Sequence, residues 1–389
     1  MITKENIEIF QQIETPFYFY DLPLLERTLD KIVYAEEKYG YNVHYALKAN
    51  SQSRIIKMMA SRGLGADCVS GNEILAAVKN GIDPKKIVYA GVGKTDREIK
   101  IALENGIFCF NCESIPELLV INEIAASMNL TASVAFRVNP DVDAKTHIYI
   151  TTGREENKFG MSPWMFDELI NVYRQCKNVK FIGLHFHIGS QITDMDVFKT
   201  LCTKAMVIEE YFSSCGLISE IINLGGGLGV DYISPEENPV PRFDNYFKTI
   251  KDNLELRPNQ QVHFELGRSV VAQCGYLISR VVFVKKGRNI TFVILDAGMN
   301  DLIRPALYGA KHVIRNLSSS SEQTVKYDVV GPVCESSDTW GKGILLPDTK
   351  RGDFVAMCSA GAYGQTMAMQ YNLRKIASDV YSDDKIFNI

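Results

Sequence analysis

The chain has 389 residues, a formal charge of −4 and 46% hydrophobic residues, enough to bury a large core in two domains or in one barrel with an appendage. The slightly acidic balance speaks against a nucleic-acid binder or a polybasic membrane binder. No stretch is an uninterrupted apolar run of spanning length, and the first residues lack a basic run followed by an apolar one, so the expectation is a soluble cytoplasmic protein. Nine cysteines scattered from Cys68 to Cys358 point to reduced thiols and not to a disulfide framework.

In chain order, residues 1–14 read as a short polar helix and 15–21 as a strand with Pro16 near its start. Strand-like runs then recur at 43–47, 65–69, 86–90, 108–112, 133–138, 181–187, 221–224 and 262–265. Helical periodicity separates them, as at 53–60, 72–79, 96–103, 115–128 and 165–174. Short apolar strands alternating with amphipathic helices are the pattern of parallel βα units, and eight such units close into a barrel of about 250 residues. The expected fold class is therefore α/β, a TIM-type (β/α)8 barrel over residues 25–272. Past Cys274 strands follow without long helices, at 275–285, 290–295, 324–330 and 353–358. Residues 1–24 with 273–389 are expected to form a second, mainly β domain, and 318–321 a polar exposed loop. Glu155-Glu156-Asn157-Lys158 also reads as a polar loop. Cys109 and Cys112 form the one C-x-x-C, and with no second Cys or His pair at zinc spacing they read as thiols on a buried strand.

The active site of a βα barrel forms where its strands end. The first run here ends at Lys48, the fifth near Arg137 and the sixth at His185-Phe186-His187-Ile188-Gly189-Ser190. The seventh ends at Gly225-Gly226-Gly227 and the eighth at His263-Phe264-Glu265-Leu266-Gly267-Arg268. A lysine closing an apolar strand is partly desolvated, which favours the neutral amine that attacks a carbonyl to form a Schiff base; a solvated strand-end lysine is the alternative. Three glycines between strand and helix present bare N–H groups at the positive end of a helix dipole, which suits a phosphate. A plain tight turn explains them equally, and their spacing is not the G-x-G-x-x-G of dinucleotide folds. His185 and His187 share a face, as do His263 and Glu265, so the two pairs could make the metal site of a barrel hydrolase. A more economical arrangement has Glu265 holding a proton on a pyridine nitrogen while an imidazole stacks on the ring. With a Schiff-base lysine and a phosphate cradle, these groups describe a pyridoxal phosphate site.

The residues resemble the alanine-racemase/ornithine-decarboxylase barrel family of pyridoxal phosphate enzymes. The resemblance rests on Tyr45-Ala46-Leu47-Lys48-Ala49-Asn50, Gly65-Ala66-Asp67-Cys68-Val69-Ser70, His185 to Gln191, Asn223-Leu224-Gly225-Gly226-Gly227, Arg304-Pro305-Ala306-Leu307-Tyr308, Cys334-Glu335-Ser336-Ser337-Asp338 and Ala360-Gly361-Ala362-Tyr363-Gly364. It implies that Lys48 carries pyridoxal 5'-phosphate, that His187 stacks on its ring and that Glu265 faces its nitrogen. Ser190, the Gly225, Gly226 and Gly227 turn, and Gly267 with Arg268 would serve the phosphate, and Tyr363 would reach cofactor and substrate. It further implies a homodimer in which Cys334 and Glu335 of one chain complete the site of the other. Many relatives have Glu-Pro-Gly-Arg where this chain has Glu265-Leu266-Gly267-Arg268.

The activity implied is decarboxylation of meso-2,6-diaminopimelate to L-lysine and carbon dioxide, the last step of lysine formation. Such a substrate carries an amino acid group at both ends. Arg268 and Arg304 would grip its distal carboxylate with planar bidentate geometry, Glu335 its distal ammonium, and Tyr308 would add a hydroxyl. Cys334 would protonate the carbon left by carbon dioxide. An ornithine or lysine decarboxylase, whose substrate ends in an ammonium alone, has no use for two arginines and is the nearest alternative; a cofactor-carrying relative without catalysis is a third.

Overall fold

The computed structural model describes residues 2–142 and 158–387, so all of the 155–158 loop except Lys158 lies outside the described residues. The chain forms two compact units: Leu29–Gly229 with Arg242–Arg268, and Met1–Thr28 with Val230–Pro241 and Ser269–Ile389. It opens with α1 (Lys4–Phe10), β1 (Phe17–Tyr20) and α2 (Leu22–Tyr39). The eight strands expected from the apolar runs then close a parallel barrel: β2 (Tyr41–Ala46), β3 (Gly65–Cys68), β4 (Ile87–Tyr89), β5 (Cys109–Cys112), β6 (Ala132–Arg137), β7 (Val179–His185), β8 (Ile221–Asn223) and β9 (Gln261–Leu266). Between them run α3 (Ser53–Ser61), α4 (Gly71–Lys79), α5 (Asp96–Glu104), α6 (Ile115–Ser127), α7 (Phe166–Tyr173), α8 (Met195–Ser214) and α9 (Phe243–Asn253). Ser70, Thr95, Ser114 and Asp194 cap α4, α5, α6 and α8 by accepting first-turn N–H groups, which fixes where each helix starts.

Strand alternation divides the barrel into an outside packed on the helices and an inside that carries the polar residues of the site beside an apolar layer. On β9, Phe264 faces outward and packs within 5.1 Å of the Phe247 ring of α9, while His263 and Glu265 face in. On β5, Phe110 lies between the inward Cys109 and Asn111. Cys109 and Cys112 are three apart, so they point to opposite faces, and both are free and buried.

Strand β7 departs from strict alternation, and the site depends on it. Phe181 points outward, its ring 4.9 Å from Phe136, and Ile182 points inward into a cluster with Val88, Cys109, Ala135 and Ile221. The pairing with β6 then slips by one residue, Val134 opposing Phe181 but Ala135 opposing Gly183. That extra residue turns His185 into the barrel; unbroken alternation from Ile182 would have turned it out. Gly183 permits the slip, because a Cβ there would collide with the Ile221 carbonyl.

The start of β2 is anchored by Glu36 of α2, whose carboxylate accepts the Val43 N–H at 2.8 Å. Burial pushes the Glu36 carboxyl up to about 7, against the pull of that hydrogen bond and of Lys86. A buried acid whose folded pKa exceeds its unfolded one costs stability as pH rises between the two values. Glu36→Gln keeps an acceptor for Val43 and removes the charge. Its gain in melting temperature is therefore expected to be larger at pH 8 than at pH 5; equal shifts at both would contradict the burial argument.

The second unit is built on β10 (Gly275–Lys286), the longest strand. The sheet runs β12-β15-β10-β11-β13-β14, with β1 branching from β10 and β16 pairing with β1. These strands are β11 (Thr291–Leu295), β12 (Ile314–Asn316), β13 (Thr324–Val330), β14 (Thr339–Pro347), β15 (Phe354–Met357) and β16 (Ser378–Tyr381). Phe10, Phe17, Phe19, Tyr276, Ile278, Phe354 and Val380 form its core. Short helices α10 (Arg268–Val271) and α11 (Arg304–Tyr308) complete the fold. No helix among the described residues is long and apolar enough to cross a membrane.

Candidate active site

Lys48 lies on a single 3-10 turn, Leu47–Ala49, directly after β2. Its Nζ is 3.0 Å from Asp67 Oδ2, and its side chain keeps 37% exposure while that of Asp67 has none. Apolar desolvation alone is therefore not its setting: a carboxylate on β3 meets the amine. Burial raises the Asp67 carboxyl above the usual range, and Lys48 pulls it back only in part. Gly267 lets the end of β9 approach this turn, since a Cβ there would come within 3.0 Å of the Ala49 Cβ and 3.1 Å of the Ala46 Cβ. Leu266 is the last residue of β9 and pairs with Tyr45.

Inside the barrel Glu265 is fully engaged by donors from three other strands. Its Oε1 accepts from the side-chain amides of Asn111 at 2.7 Å and Asn223 at 2.8 Å, and its Oε2 lies 3.0 Å from His185 Nε2. Bonds from β5 and β7 to β9 can only cross the interior. Burial opposes ionisation of Glu265, but His185, its hydrogen bond and the Lys48 ammonium outweigh it and hold the carboxyl well below the usual carboxylate range. Asn223 also accepts the Gly225 N–H at 2.9 Å through its Oδ1, so one amide joins the carboxylate to the glycine turn.

That turn is packed against the ends of β7 and β9. A Cβ on Gly225 would collide with the Phe186 carbonyl and one on Gly226 with the Glu265 carbonyl, and Gly225 and Gly227 have φ of +69° and +110°, a region that favours glycine. The Gly226 N–H donates to His187 Nδ1 at 3.2 Å. A backbone N–H can only donate, so Nδ1 carries the lone pair and the ring proton is on Nε2. Burial, then the nearby Arg137 and Lys48 cations, hold His187 well below its ordinary pKa, so it is a neutral, oriented ring. Ser190 Oγ accepts from Arg268 Nε at 3.2 Å and from its Nη2 at 3.1 Å. One expectation fails: no helix follows the glycines directly, the next being α9 from Phe243, because the intervening Val230–Pro241 belongs to the other unit. What this corner offers an anion is therefore Ser190, Arg268 and the Gly227 end of the turn, without a helix dipole; the Gly225 and Gly226 N–H groups already donate to Asn223 and His187.

The hydrolase alternative is not assembled. His263 Nδ1 lies 2.8 Å from His44 Nε2, whose own Nδ1 faces the Lys86 carbonyl at 2.9 Å, and the His263 ring stacks on Phe108 at 5.4 Å. Burial lowers the pKa of both imidazoles; they form a neutral pair one layer below Glu265. Among the described residues no three His, Cys, Asp or Glu side chains gather as metal ligands.

The remaining candidates belong to the second unit. Arg304 is buried at the start of α11, with Tyr308 one turn on. Cys334 and Glu335 are exposed on a turn fastened by Asp338, whose carboxylate accepts the Val333 and Met299 N–H groups, each at 2.7 Å. Glu335 also accepts from Tyr371 at 2.7 Å. Tyr363 holds a left-handed φ of 55°, a strained conformation for a tyrosine. Asp67, Asn111 and Asn223 had no role assigned from the sequence, although Asp67 and Asn223 lie within motifs quoted for the resemblance. The signal for all three was parity: each is the one strongly polar residue at an inward position of a short buried strand.

The barrel site fits pyridoxal phosphate by its donor set: an amine within reach of solvent, a neutral imidazole, a buried ionised carboxylate and an arginine with a serine beside a glycine turn. Asp67 Oδ1, Asn111 Oδ1 and His185 Nδ1, on residues around that carboxylate, have no hydrogen-bond partner among the described residues, which suits an interior with room for a further polar occupant.

The family model for the pyridoxal-binding domain of pyridoxal-dependent decarboxylases matches residues 26–272. A diaminopimelate decarboxylase of Bacteroides thetaiotaomicron is 54% identical over 381 residues, covering 98% of each chain. One from Helicobacter pylori is 42% identical, covering 97% of this chain and 93% of that one. A crystal structure of Helicobacter pylori diaminopimelate decarboxylase complexed with L-lysine superposes with a TM-score of 0.91 at 41% identity, over 97% of this chain and 94% of that one. The chain therefore belongs to the pyridoxal-dependent decarboxylase family, in the group that contains the diaminopimelate decarboxylases.

Proposed function

We propose that the protein uses pyridoxal 5'-phosphate to decarboxylate meso-2,6-diaminopimelate to L-lysine and carbon dioxide. The observation that carries this is the convergence, at the ends of β2, β7, β8 and β9, of Lys48, His187, Ser190, the glycine turn, Glu265 and Arg268. When bound, pyridoxal phosphate supplies a sink for the electron pair left as carbon dioxide departs. Lys48 would hold it covalently, His187 would stack on its ring, and Glu265 would face its ring nitrogen. Ser190, Arg268 and the turn of Gly225, Gly226 and Gly227 would hold its phosphate, with Gly267 shaping that corner, and Tyr363 would reach both cofactor and substrate.

The rest of the constellation reads the second amino acid group. Arg304, with Arg268, binds the distal carboxylate, Tyr308 adds a hydroxyl, and Glu335 accepts from the distal ammonium. Cys334 Sγ gives its proton to the substrate α-carbon after carbon dioxide has left. Its exposure on a fastened turn supports a homodimer in which Cys334 and Glu335 act in the partner's site. Nine unpaired cysteines support a reducing, cytoplasmic location.

The function is tested by carbon dioxide release from meso-diaminopimelate, L-lysine and L-ornithine supplied separately to the holoenzyme. Release from the first alone is expected; release from ornithine or lysine at comparable kcat/KM would overturn the role of the arginines. Shared sites are tested by mixing two inactive variants, Lys48→Ala and Cys334→Ala. A heterodimer has one intact site, so exchange of equal amounts should recover about a quarter of the original activity by statistical pairing. Failure to recover activity after demonstrated exchange would place Cys334 in its own chain's site.

A further inference from the structure

Two neutral side chains hold Arg304 and fix the direction of its Nη1. Its Nη1 donates to the Tyr232 hydroxyl at 3.0 Å and lies 3.3 Å from His312 Nε2. The far nitrogen of that imidazole, Nδ1, is 2.9 Å from the Cys358 carbonyl oxygen. A carbonyl can only accept, so His312 Nδ1 carries the proton; a guanidinium can only donate, so His312 Nε2 presents its lone pair. The two neighbours thus select one neutral tautomer, and protonating Nε2 would set one cation against another in a buried place. His312 is 8% exposed and Arg304 is 6% exposed. The Tyr232 ring stands edge-on to the imidazole, with centroids 5.3 Å apart and planes at 82°, and the guanidinium carbon is 5.3 Å from that ring's centre. Cys358 directly follows β15, and its N–H donates to the Val313 carbonyl beside His312, so the tether ends in the sheet.

We propose that His312, assisted by Tyr232, is the positioning residue that presents Arg304 to the second carboxylate of the substrate and so sets the preference for diamino acids that carry one. The inference rests on the reading of Arg304 given under the proposed function. Acceptors without charge orient the guanidinium and leave those bonds' share of its charge uncompensated, which suits an arginine that must still grip a carboxylate. A carboxylate in place of His312 would orient the same side chain and also neutralise it.

The test compares ligands that differ only in the distal carboxylate. L-lysine retains it, and 1,5-diaminopentane lacks it; both are titrated into the holoenzyme by the change in bound-cofactor absorbance. His312→Leu removes the acceptor, and loss of one hydrogen bond to a charged group predicts about a 10- to 100-fold weaker affinity for L-lysine. A similar rise in KM for meso-diaminopimelate is expected, with kcat within about threefold and 1,5-diaminopentane affinity within about twofold. His312→Gln, which restores an acceptor, should recover most of the loss. Tyr232→Phe, which deletes only a hydroxyl, should weaken L-lysine by about three- to tenfold and serves if the leucine variant does not fold. Unchanged L-lysine affinity in the leucine or phenylalanine variant, or equal weakening of 1,5-diaminopentane, would overturn the proposal. Arg304→Met tests the underlying reading separately: if it leaves L-lysine affinity unchanged, Arg304 does not bind the distal carboxylate, whatever His312 does.

Discussion

Lys48→Ala is expected to remove the absorption band of bound pyridoxal phosphate and to reduce carbon dioxide release by at least about three orders of magnitude. The reason is structural as well as chemical. Lys48 is the amine placed on the turn after β2 and the partner of buried Asp67 at 3.0 Å. Truncation removes the covalent anchor and leaves a buried carboxylate without its cation, so a loss of thermal stability should accompany the loss of activity. Lys48→Arg separates the two effects: a guanidinium can keep the pair with Asp67 but cannot act as the amine. That variant should melt near the original temperature and still be inactive. Turnover retained in either variant would remove Lys48 from its central role.

Glu265→Gln is the second large effect, expected to lower kcat by about 100- to 1000-fold while cofactor binding survives. Asn111, Asn223 and His185 all direct donors at the Glu265 carboxylate, an arrangement that makes sense around a full negative charge facing a protonated ring nitrogen. Glutamine keeps the shape and loses the charge. The variant should therefore retain its band yet bleed rate, with the band shifted or its pH dependence altered. A kcat within threefold of the original would mean that the charge at this position does not support the electron sink.

The barrel was legible because its signals are local. Eight short apolar runs at even spacing needed no tertiary information, and the same runs placed Lys48, His187 and Glu265 at the mouth. What depends on register was not legible. His185 faces inward only because β7 slips by one residue at Gly183, and nothing in the local pattern announces which side of a strand a slip will favour. The glycine turn reads as the start of a helix because strand, turn and helix usually follow one another in βα units. Here the chain leaves the barrel for Val230–Pro241 first. In the second unit β12, β14 and β16 escaped reading for simpler reasons: β12 and β16 are short, and β14 contains Gly341, Gly343 and Pro347, residues that normally end strands. The tether from Cys358 through His312 to Arg304 spans residues far apart in sequence, so no motif could reveal it.

The most direct measurement supplies meso-diaminopimelate to the holoenzyme and quantifies, in the same reaction, carbon dioxide and the amino acid formed, the latter by chiral separation. Equal amounts of carbon dioxide and L-lysine are predicted, because only one end of the substrate reaches the site on Lys48 while the arginines retain the other. Appearance of D-lysine, or of 1,5-diaminopentane with twice the carbon dioxide, would show that the two ends are not told apart as described, and absence of carbon dioxide would contradict the function itself.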